Sequence, residues 1–200
     1  MERNKTRRDR IGKSRVKKVA NKPSRDIKTF QKKIWAFYRL HKRDLPWRKT
    51  HSPYKILVSE IMLQQTQVER VVPKYKAFLK QFPTIEILAK ARNTDVLKLW
   101  SGLGYNSRAL RLKKAAEVLV REYKNRMPQE KEKLISLPGV GPYTAGAVRV
   151  FAFDLPDIFL ETNIRTVLIH EFFPRKKAVD DKALLHHAEL VLPEEDFRGW

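Results

Sequence analysis

Apolar residues recur at three- and four-residue steps along most of the chain, which is the spacing of one buried face of a helix. The first such face comprises Ile27, Phe30, Ile34 and Phe37. Similar patterns predict helices over residues 54–65, 66–81, 107–123, 130–137, 143–153, 162–172 and 180–192, with short helices after Thr84 and around Asn93. No stretch shows the sustained alternation of a strand. The sequence therefore predicts an all-α fold with short connections.

Several helix ends are predicted from capping and breaking residues. Thr66-Gln67-Val68-Glu69 has the form of a capping box, which predicts that a helix begins at Thr66. Pro73 within that helix predicts a kink or a division. Thr162 is predicted to cap the helix that follows it.

The charge balance of this helical protein favours a polyanionic partner. The chain has 43 Lys and Arg residues against 22 Asp and Glu, a net charge of +21. Such an excess favours nucleic acid, because each neutralised phosphate releases counterions; a ribosomal or chromatin-like basic protein is the alternative. Residues 1–25 hold many of these cations and few large apolar residues. They are predicted to form a disordered basic arm that binds DNA or directs nuclear import, or else a solvated tail without a dedicated function.

Composition also excludes some classes of protein. A hydrophobic content of 42% in 200 residues permits a sizeable core. No stretch approaches the roughly 18 apolar residues of a membrane span, and the basic N-terminus lacks the apolar region of a secretory signal. The chain has no cysteine, which removes disulfides, thiolate metal sites and iron–sulfur clusters from it and fits a reducing compartment. We expect no membrane partner.

A tight turn, Leu137-Pro138-Gly139-Val140-Gly141, joins two predicted helices. Two glycines with one residue between them allow backbone conformations closed to other residues, and Pro142 suits the first position of a helix. The exposed amide groups would then lie beside a positive helix end, ready for an anion such as a DNA phosphate. The alternative is an ordinary corner between two helices.

Glu60 lies in an apolar stretch from Ile56 to Leu63. Burial there would raise the pKa of its carboxyl, and a carboxyl with a raised pKa can act as a general acid at neutral pH. The alternative is a helix residue that faces water.

The segment from Ser59 to Val68, SEIMLQQTQV, and the Leu-Pro-Gly-Val-Gly turn resemble the helix-hairpin-helix (HhH-GPD) DNA glycosylases, and among them the MutY-like adenine glycosylases. Two further segments agree in order and spacing: Leu45-Pro46-Trp47-Arg48 and Trp100-Ser-Gly-Leu-Gly-Tyr105. The resemblance runs from about Leu45 to Phe172.

The resemblance implies a role for each of these segments. Glu60 would protonate a flipped adenine, and Gln64 and Gln65 would fill the hole left in the duplex. The further DNA-binding residues would come from the base-pocket segment, the aromatic residue against the opposite base and the hairpin that grips the lesion strand: Leu45, Trp47, Arg48, Tyr105, Leu137, Gly139, Val140 and Gly141. In the family this hairpin often also holds a monovalent cation. Core packing is the alternative for Trp47 and for Trp100.

A second carboxylate should stabilise the positive charge that develops on the sugar when the glycosidic bond breaks. The family places an Asp at the start of a helix after the hairpin, and the matching position holds Glu161. The alternative is a first-turn Glu that favours the helix dipole. Tyr143 is the third candidate catalytic residue, at the position where lyase relatives carry a Lys. A tyrosine has no amine with which to form a Schiff base. The resemblance thus implies a glycosylase without strand-cutting activity.

Two lobes are expected by analogy with the family: a helical barrel lobe with the hairpin over residues 50–153, and a second lobe from residues 26–49 and 154–200. The family's iron–sulfur cysteines and 8-oxoguanine-recognition domain would lie near or beyond Trp200, so we expect the C-terminal part to be incomplete. The expected protein is a monomer that acts on mismatched or damaged double-stranded DNA without a cofactor or metal in this chain. It would work at the nucleoid in a prokaryotic cytoplasm or in a eukaryotic nucleus. A thymine or uracil mismatch glycosylase and a catalytically weak DNA-binding module are the alternatives.

Overall fold

The structure is a computed structural model that describes residues 25–200; all of the predicted basic arm except Arg25 lies outside the described residues. The described part contains helices and no strand, so the predicted all-α class is confirmed. Its elements are α1 Arg25–His41, a 3₁₀ helix Pro46–Lys49, α2 Pro53–Leu63, α3 Val68–Gln81, α4 Ile85–Lys90, α5 Asn93–Trp100, α6 Ser107–Tyr123, α7 Lys131–Ile135, α8 Pro142–Phe153, α9 Thr162–Phe172 and α10 Asp181–Val191. None of these helices is long and apolar enough to cross a membrane.

The larger hydrophobic cluster surrounds α2, which packs against α3, α6 and α8. Its buried residues run from Trp47 to Val148. Most of α2 is buried, from Tyr54 to Met62 with the single exception of Lys55. Burial of each large aliphatic side chain stabilises the fold by about 1.5–3 kcal/mol. The helix that carries Glu60 is therefore held rigidly at the centre of this cluster.

A smaller cluster joins the first helix to the last two. Ile27 and Phe30 of α1 pack with Leu168 of α9 and Leu184 of α10. α1 thus packs beside helices that begin more than 120 residues after its own end. Leu45 and Trp47 pack in the larger cluster, and the division into two lobes stays a prediction.

One expectation about α3 is wrong, and another is answered only in part. The helix begins at Val68, and its N-cap residue Gln67 makes no side-chain capping bond. The Thr66 hydroxyl lies instead 3.3 Å from the carbonyl oxygen of Leu103, a tertiary partner that the capping box overlooks. Pro73 does not divide the helix, because in the second helical turn it removes only the hydrogen bond to the Glu69 carbonyl. A kink at Pro73 stays a prediction.

The start of α9 also differs from the expectation. The cap is Glu161 rather than Thr162, since the Glu161 carboxylate accepts a hydrogen bond from the backbone N–H of Asn163 at 2.9 Å. Thr162 is the first residue of the helix itself. A carboxylate at this end of a helix is favoured both as a capping group and by the helix dipole.

Candidate active site and nucleic-acid interface

A cavity of about 410 Å³ lies where the two hydrophobic clusters meet. Its walls bring together Arg48 of the 3₁₀ helix, Tyr143 of α8, and Phe159, Glu161 and Asn163 from the segment that leads into α9. The volume falls within the range of roughly 300–1,000 Å³ that is usual for small-ligand sites. Residues far apart in sequence therefore converge on one space that can hold a base-sized group.

Glu60 lies behind this wall and is only 4% exposed. Burial raises the pKa of its carboxyl to about 7, against the opposing effects of the Arg48 charge and a hydrogen bond from Tyr143. The water-facing alternative for Glu60 is therefore wrong. A carboxyl with this pKa is protonated in a large fraction of molecules at neutral pH, which is what a general acid requires.

Tyr143 links Glu60 to the cavity. It sits in the first turn of α8, two residues after the tight turn, and the interaction of its hydroxyl with the Glu60 carboxyl lowers the pKa of that carboxyl. Burial first, and then the charges of Glu60 and Glu161, raise the pKa of the Tyr143 hydroxyl above its usual value. The phenol therefore stays protonated at neutral pH and donates to Glu60 when that carboxyl is ionised.

Arg48 supplies the positive charge of the site. Its guanidinium lies 3.8 Å from the centre of the Phe151 ring, an arrangement that holds a cation over an aromatic face. The same charge favours the ionised form of Glu60 and so limits how far burial raises its pKa.

Glu161 is oriented by a residue that the sequence analysis missed. Both carboxylate oxygens of Glu161 accept hydrogen bonds from Asn163, one from the backbone N–H and one from the side-chain amide, each at 2.9 Å. The pairing fixes the direction of the carboxylate at the cavity wall. An amide side chain two residues after a capping carboxylate is the local signal that could have found it.

The tight turn between α7 and α8 has the backbone geometry that its glycines predict. Gly139 has φ of +83°, and a Cβ there would lie 2.9 Å from the Cβ of Arg111 on α6. Leu137 and Val140 are buried and closed into the turn by a hydrogen bond from the Val140 N–H to the Leu137 carbonyl at 3.1 Å. Their side chains anchor the turn, which leaves its backbone as the part able to contact a ligand.

The amide end of α8 has no side-chain cap. Gly141 is the N-cap residue and Pro142 the first helical residue, so no side chain occupies the N–H groups of the first turn. A Cβ at Gly141 would meet nothing within 4 Å, which means that the space beside the turn is open. Such a helix end suits a phosphate oxygen.

Two exposed turns hold residues in strained backbone conformations. Gln65 has φ of +54° and Tyr105 has φ of +47°, and both side chains are exposed. Such conformations in residues other than glycine cost of order 1–3 kcal/mol and persist only when their surroundings impose them. The residue that holds these two turns is the buried Arg108, which the sequence analysis missed. Its guanidinium donates to carbonyl oxygens in both turns, namely those of Ile61, Met62, Gln64, Leu103 and Gly104.

Gln64 and Gln65 differ in their exposure to water. Gln64 is half-buried, and its side-chain amide lies 3.3 Å from the Thr144 hydroxyl on α8, so Gln65 alone projects fully. Trp47 and Trp100 are buried in the larger cluster, which favours the core-packing alternative for both. The Trp100 indole N–H donates to the Gly104 carbonyl at 3.2 Å and so steadies the turn that presents Tyr105.

The family model for HhH-GPD superfamily base excision DNA repair proteins matches residues 58–193. The chain belongs to this superfamily. The match includes Glu60, the tight turn, and both Tyr143 and Glu161 of the cavity wall.

Curated adenine DNA glycosylases are among the relatives of this HhH-GPD chain. The enzyme of Buchnera aphidicola subsp. Baizongia pistaciae (strain Bp) is 42% identical over 136 residues, covering 68% of this chain and 39% of the relative. That of Mycobacterium tuberculosis (strain ATCC 25618 / H37Rv) is 40% identical over 159 residues, covering 79% and 52%. That of Rattus norvegicus is 41% identical over 152 residues, covering 72% and 30%. The chain thus spans between about a third and a half of the length of these relatives.

Two solved structures share the fold of this chain. A thermostable thymine-DNA glycosylase matches with a TM-score of 0.80 and 31% identity, covering 87% of this chain and 82% of that one. A trapped covalent intermediate of endonuclease III with DNA matches with a TM-score of 0.72 at 18% identity, covering 86% and 79%, and shows likeness of fold alone.

The chain cannot ligate the iron–sulfur cluster that the resemblance associates with the family, because it contains no cysteine. Within residues 25–200, no three His, Asp or Glu side chains are grouped as a metal site requires. A monovalent cation at the Leu137–Gly141 turn stays a prediction.

Proposed function

We propose that this chain is a DNA glycosylase that removes adenine mispaired with 8-oxoguanine or guanine, by hydrolysis of the N-glycosidic bond. The observation that carries the proposal is the burial of Glu60, which raises the pKa of its carboxyl, beside Tyr143 at the wall of a cavity that also holds Glu161. The family and the adenine DNA glycosylase relatives support the same reading.

The first chemical step uses Glu60 as an acid. The target base leaves the duplex stack at a cost of roughly a few kcal/mol and enters the cavity. Protonated Glu60 transfers its proton to a ring nitrogen of adenine, and the bond between the base and C1′ breaks with its electron pair going to the base. The Tyr143 hydroxyl donates to the carboxylate that forms, which stabilises the product of proton transfer.

The second step uses Glu161 as a fixed negative charge. Loss of the base leaves an oxocarbenium-like sugar, which a nearby carboxylate stabilises. Water then adds to C1′ and gives its surplus proton to the Glu60 carboxylate, which restores the acid. The two hydrogen bonds from Asn163 hold the Glu161 carboxylate in place for this role.

We propose that the enzyme leaves the DNA strand intact. A strand-cutting glycosylase of this fold needs an amine to form a Schiff base with the sugar. The position two residues after the tight turn holds Tyr143, whose phenol has no such chemistry.

DNA is held, in this proposal, by the described backbone features and by charge. The open amide end of α8 binds a phosphate, Gln65 enters the space left by the flipped base, and Tyr105 contacts the opposite base. The net charge of +21 adds an attraction that does not depend on sequence.

A thymine or uracil mismatch glycosylase is the second candidate, favoured by the match to the thymine-DNA glycosylase over 87% of this chain. The chemistry of the base distinguishes the two. Adenine carries unprotonated ring nitrogens that can accept the Glu60 proton, whereas the free ring nitrogen of thymine or uracil already bears a hydrogen. A thymine glycosylase would therefore gain much less from Glu60.

The test is single-turnover base release at saturating protein from duplexes with A·8-oxoguanine, A·G, T·G and U·G pairs. We expect release of adenine from the first two and little from the others. Release from T·G or U·G alone would favour the second candidate. Binding without release from any duplex would indicate a DNA-binding module. A Glu60→Gln variant should bind with the affinity of the parent and release nothing, since general acid catalysis contributes about 10²–10⁴-fold.

A further inference from the structure

Residues 154–161, here called the strap, run from the end of α8 to the cap of α9 without regular structure. The strap carries Phe159 and Glu161 into the cavity wall. The position of the Glu161 carboxylate relative to Tyr143 therefore depends on where the strap lies against α8.

Asp157, at the middle of the strap, is bound to both helices that flank the tight turn. Its side chain is only 5% exposed. One carboxylate oxygen lies 2.7 Å from Nε of Arg149 on α8, and the other pairs with the ammonium of Lys131, the first residue of α7. Arg149 is itself fixed by a hydrogen bond to the Gln129 carbonyl. A carboxylate this well covered needs such partners, because an unpaired buried charge is strongly unfavourable.

The strap rests directly on the backbone of α8. A Cβ at Gly146 would lie 2.7 Å from Cδ1 of Phe159 and 3.3 Å from an Asp157 carboxylate oxygen, so this close approach requires glycine. Gly146 lies one helical turn after Tyr143, and the Phe159 ring meets the Tyr143 ring edge-on with centroids 5.2 Å apart. The ion pairs of Asp157 thus hold a strap whose Phe159 contacts Tyr143, one of the candidate catalytic residues.

We propose that Asp157 is a positioning residue for Glu161: its ion pairs with Arg149 and Lys131 hold the strap on α8, so that the Glu161 carboxylate faces the cavity beside Tyr143. This inference rests on the proposed role of Glu161 in base release. A displacement of about 1 Å in a reacting or stabilising group can cost about 100-fold in rate. Glu161 caps α9 and is held by Asn163, but both belong to the same local segment, which the strap joins to α8.

The test combines substitutions at Asp157 and Glu161 in a double-mutant cycle, measured as single-turnover adenine release at saturating protein. Asp157→Asn keeps the shape and removes the charge, and should slow release about 10- to 100-fold in the parent. Lys131→Gln, which removes one of the two partners, should slow it in the same direction by less. In a Glu161→Gln background both changes should have little further effect, because the group that they position is gone. Asp95→Asn, which breaks the exposed pair with Arg92 on α5, is the matched control and should change the rate less than twofold.

A purely structural role for Asp157 would give a different result. Equal losses in the parent and in the Glu161→Gln background, or no loss in either, would overturn the inference. If melting curves show that Asp157→Asn does not fold, the cycle with Lys131→Gln decides by the same criterion.

A parent chain that releases no base would contradict the proposed function, and the inference would then be judged by hydrogen exchange. Amides of residues 158–163 should exchange faster in Asp157→Asn than in Asp95→Asn. Unchanged exchange there would mean that Asp157 does not hold the strap and would overturn the inference.

Discussion

Glu60→Gln should make the DNA-free protein more stable than the parent at pH 8 and much less so at pH 5. Burial raises the pKa of Glu60 from 4.5 to about 7 in the folded protein. Below pH 4.5 the carboxyl is protonated in both folded and unfolded chains, and it carries no penalty. As the pH rises towards 7, the unfolded chain releases a proton that the folded chain retains, so the parent loses stability; above 7 the loss is complete. The uncharged Gln variant escapes this loss.

The size of the effect follows from the two pKa values. A change from 4.5 to about 7 corresponds to roughly 3 kcal/mol, of which less than about 1 kcal/mol is already expressed at pH 5. The stability difference between variant and parent should therefore grow by roughly 2–3 kcal/mol between pH 5 and pH 8. For a chain of this size, that is about 4–12 °C in Tm.

Urea unfolding followed by circular dichroism at pH 5, 6, 7 and 8 measures this difference directly. Glu86→Gln on α4 is the control: hydrogen bonds from its own backbone and from Thr84 lower the pKa of the Glu86 carboxyl, so its replacement should not stabilise the protein at pH 8. A difference between Glu60→Gln and the parent that is constant with pH, or a variant less stable than the parent at pH 8, would refute the argument that burial raises the pKa of Glu60.

Three further predictions concern the other parts of the proposal. Glu161→Gln should slow single-turnover base release by about 10²–10³-fold, whereas Glu161→Asp keeps the charge and should retain far more activity; equal rates for both and the parent would remove Glu161 from the mechanism. Borohydride should trap no covalent adduct with DNA, because Tyr143 offers no amine, and a near-stoichiometric adduct would contradict this. Deletion of residues 1–25 should make the fall of log K with log salt shallower by several units, at about 0.9 per phosphate contacted, while an unchanged slope would mean that the arm does not touch DNA.

The sequence alone predicts most of the helices, because each buries a face that repeats with the helical period. The apolar residues around Glu60 on its own helix leave both burial and exposure to water open, and the structure shows that Glu60 is buried. The error of the sequence analysis at Thr66 occurs because a distant residue decides the outcome. Thr66 has the local form of a cap, but its hydroxyl turns to the carbonyl of Leu103, 37 residues later.

Three polar residues at or near the candidate site escaped the sequence analysis, and for Arg108 and Asp157 the reason is again a distant partner. Arg108 belongs to α6, and a charged residue on a helix usually faces water. Its partners are backbone carbonyl groups that lie far from it in sequence and come close to it only in the folded protein. Asp157 pairs with Lys131, which lies 26 residues earlier in the sequence. Asn163 donates to the carboxylate of Glu161. The structure shows that Glu161 is the N-cap of α9 rather than a residue of its first turn.

The pH dependence of single-turnover adenine release from an A·8-oxoguanine duplex tests the central claim, that Glu60 is the general acid, most directly. With protein saturating at every pH, the rate should be level below about pH 7 and fall tenfold for each further pH unit, because only protonated Glu60 can donate. In Glu60→Gln both the activity and this profile should be lost. A rate that stays level to pH 9 in the parent, or a variant as fast as the parent, would contradict the account.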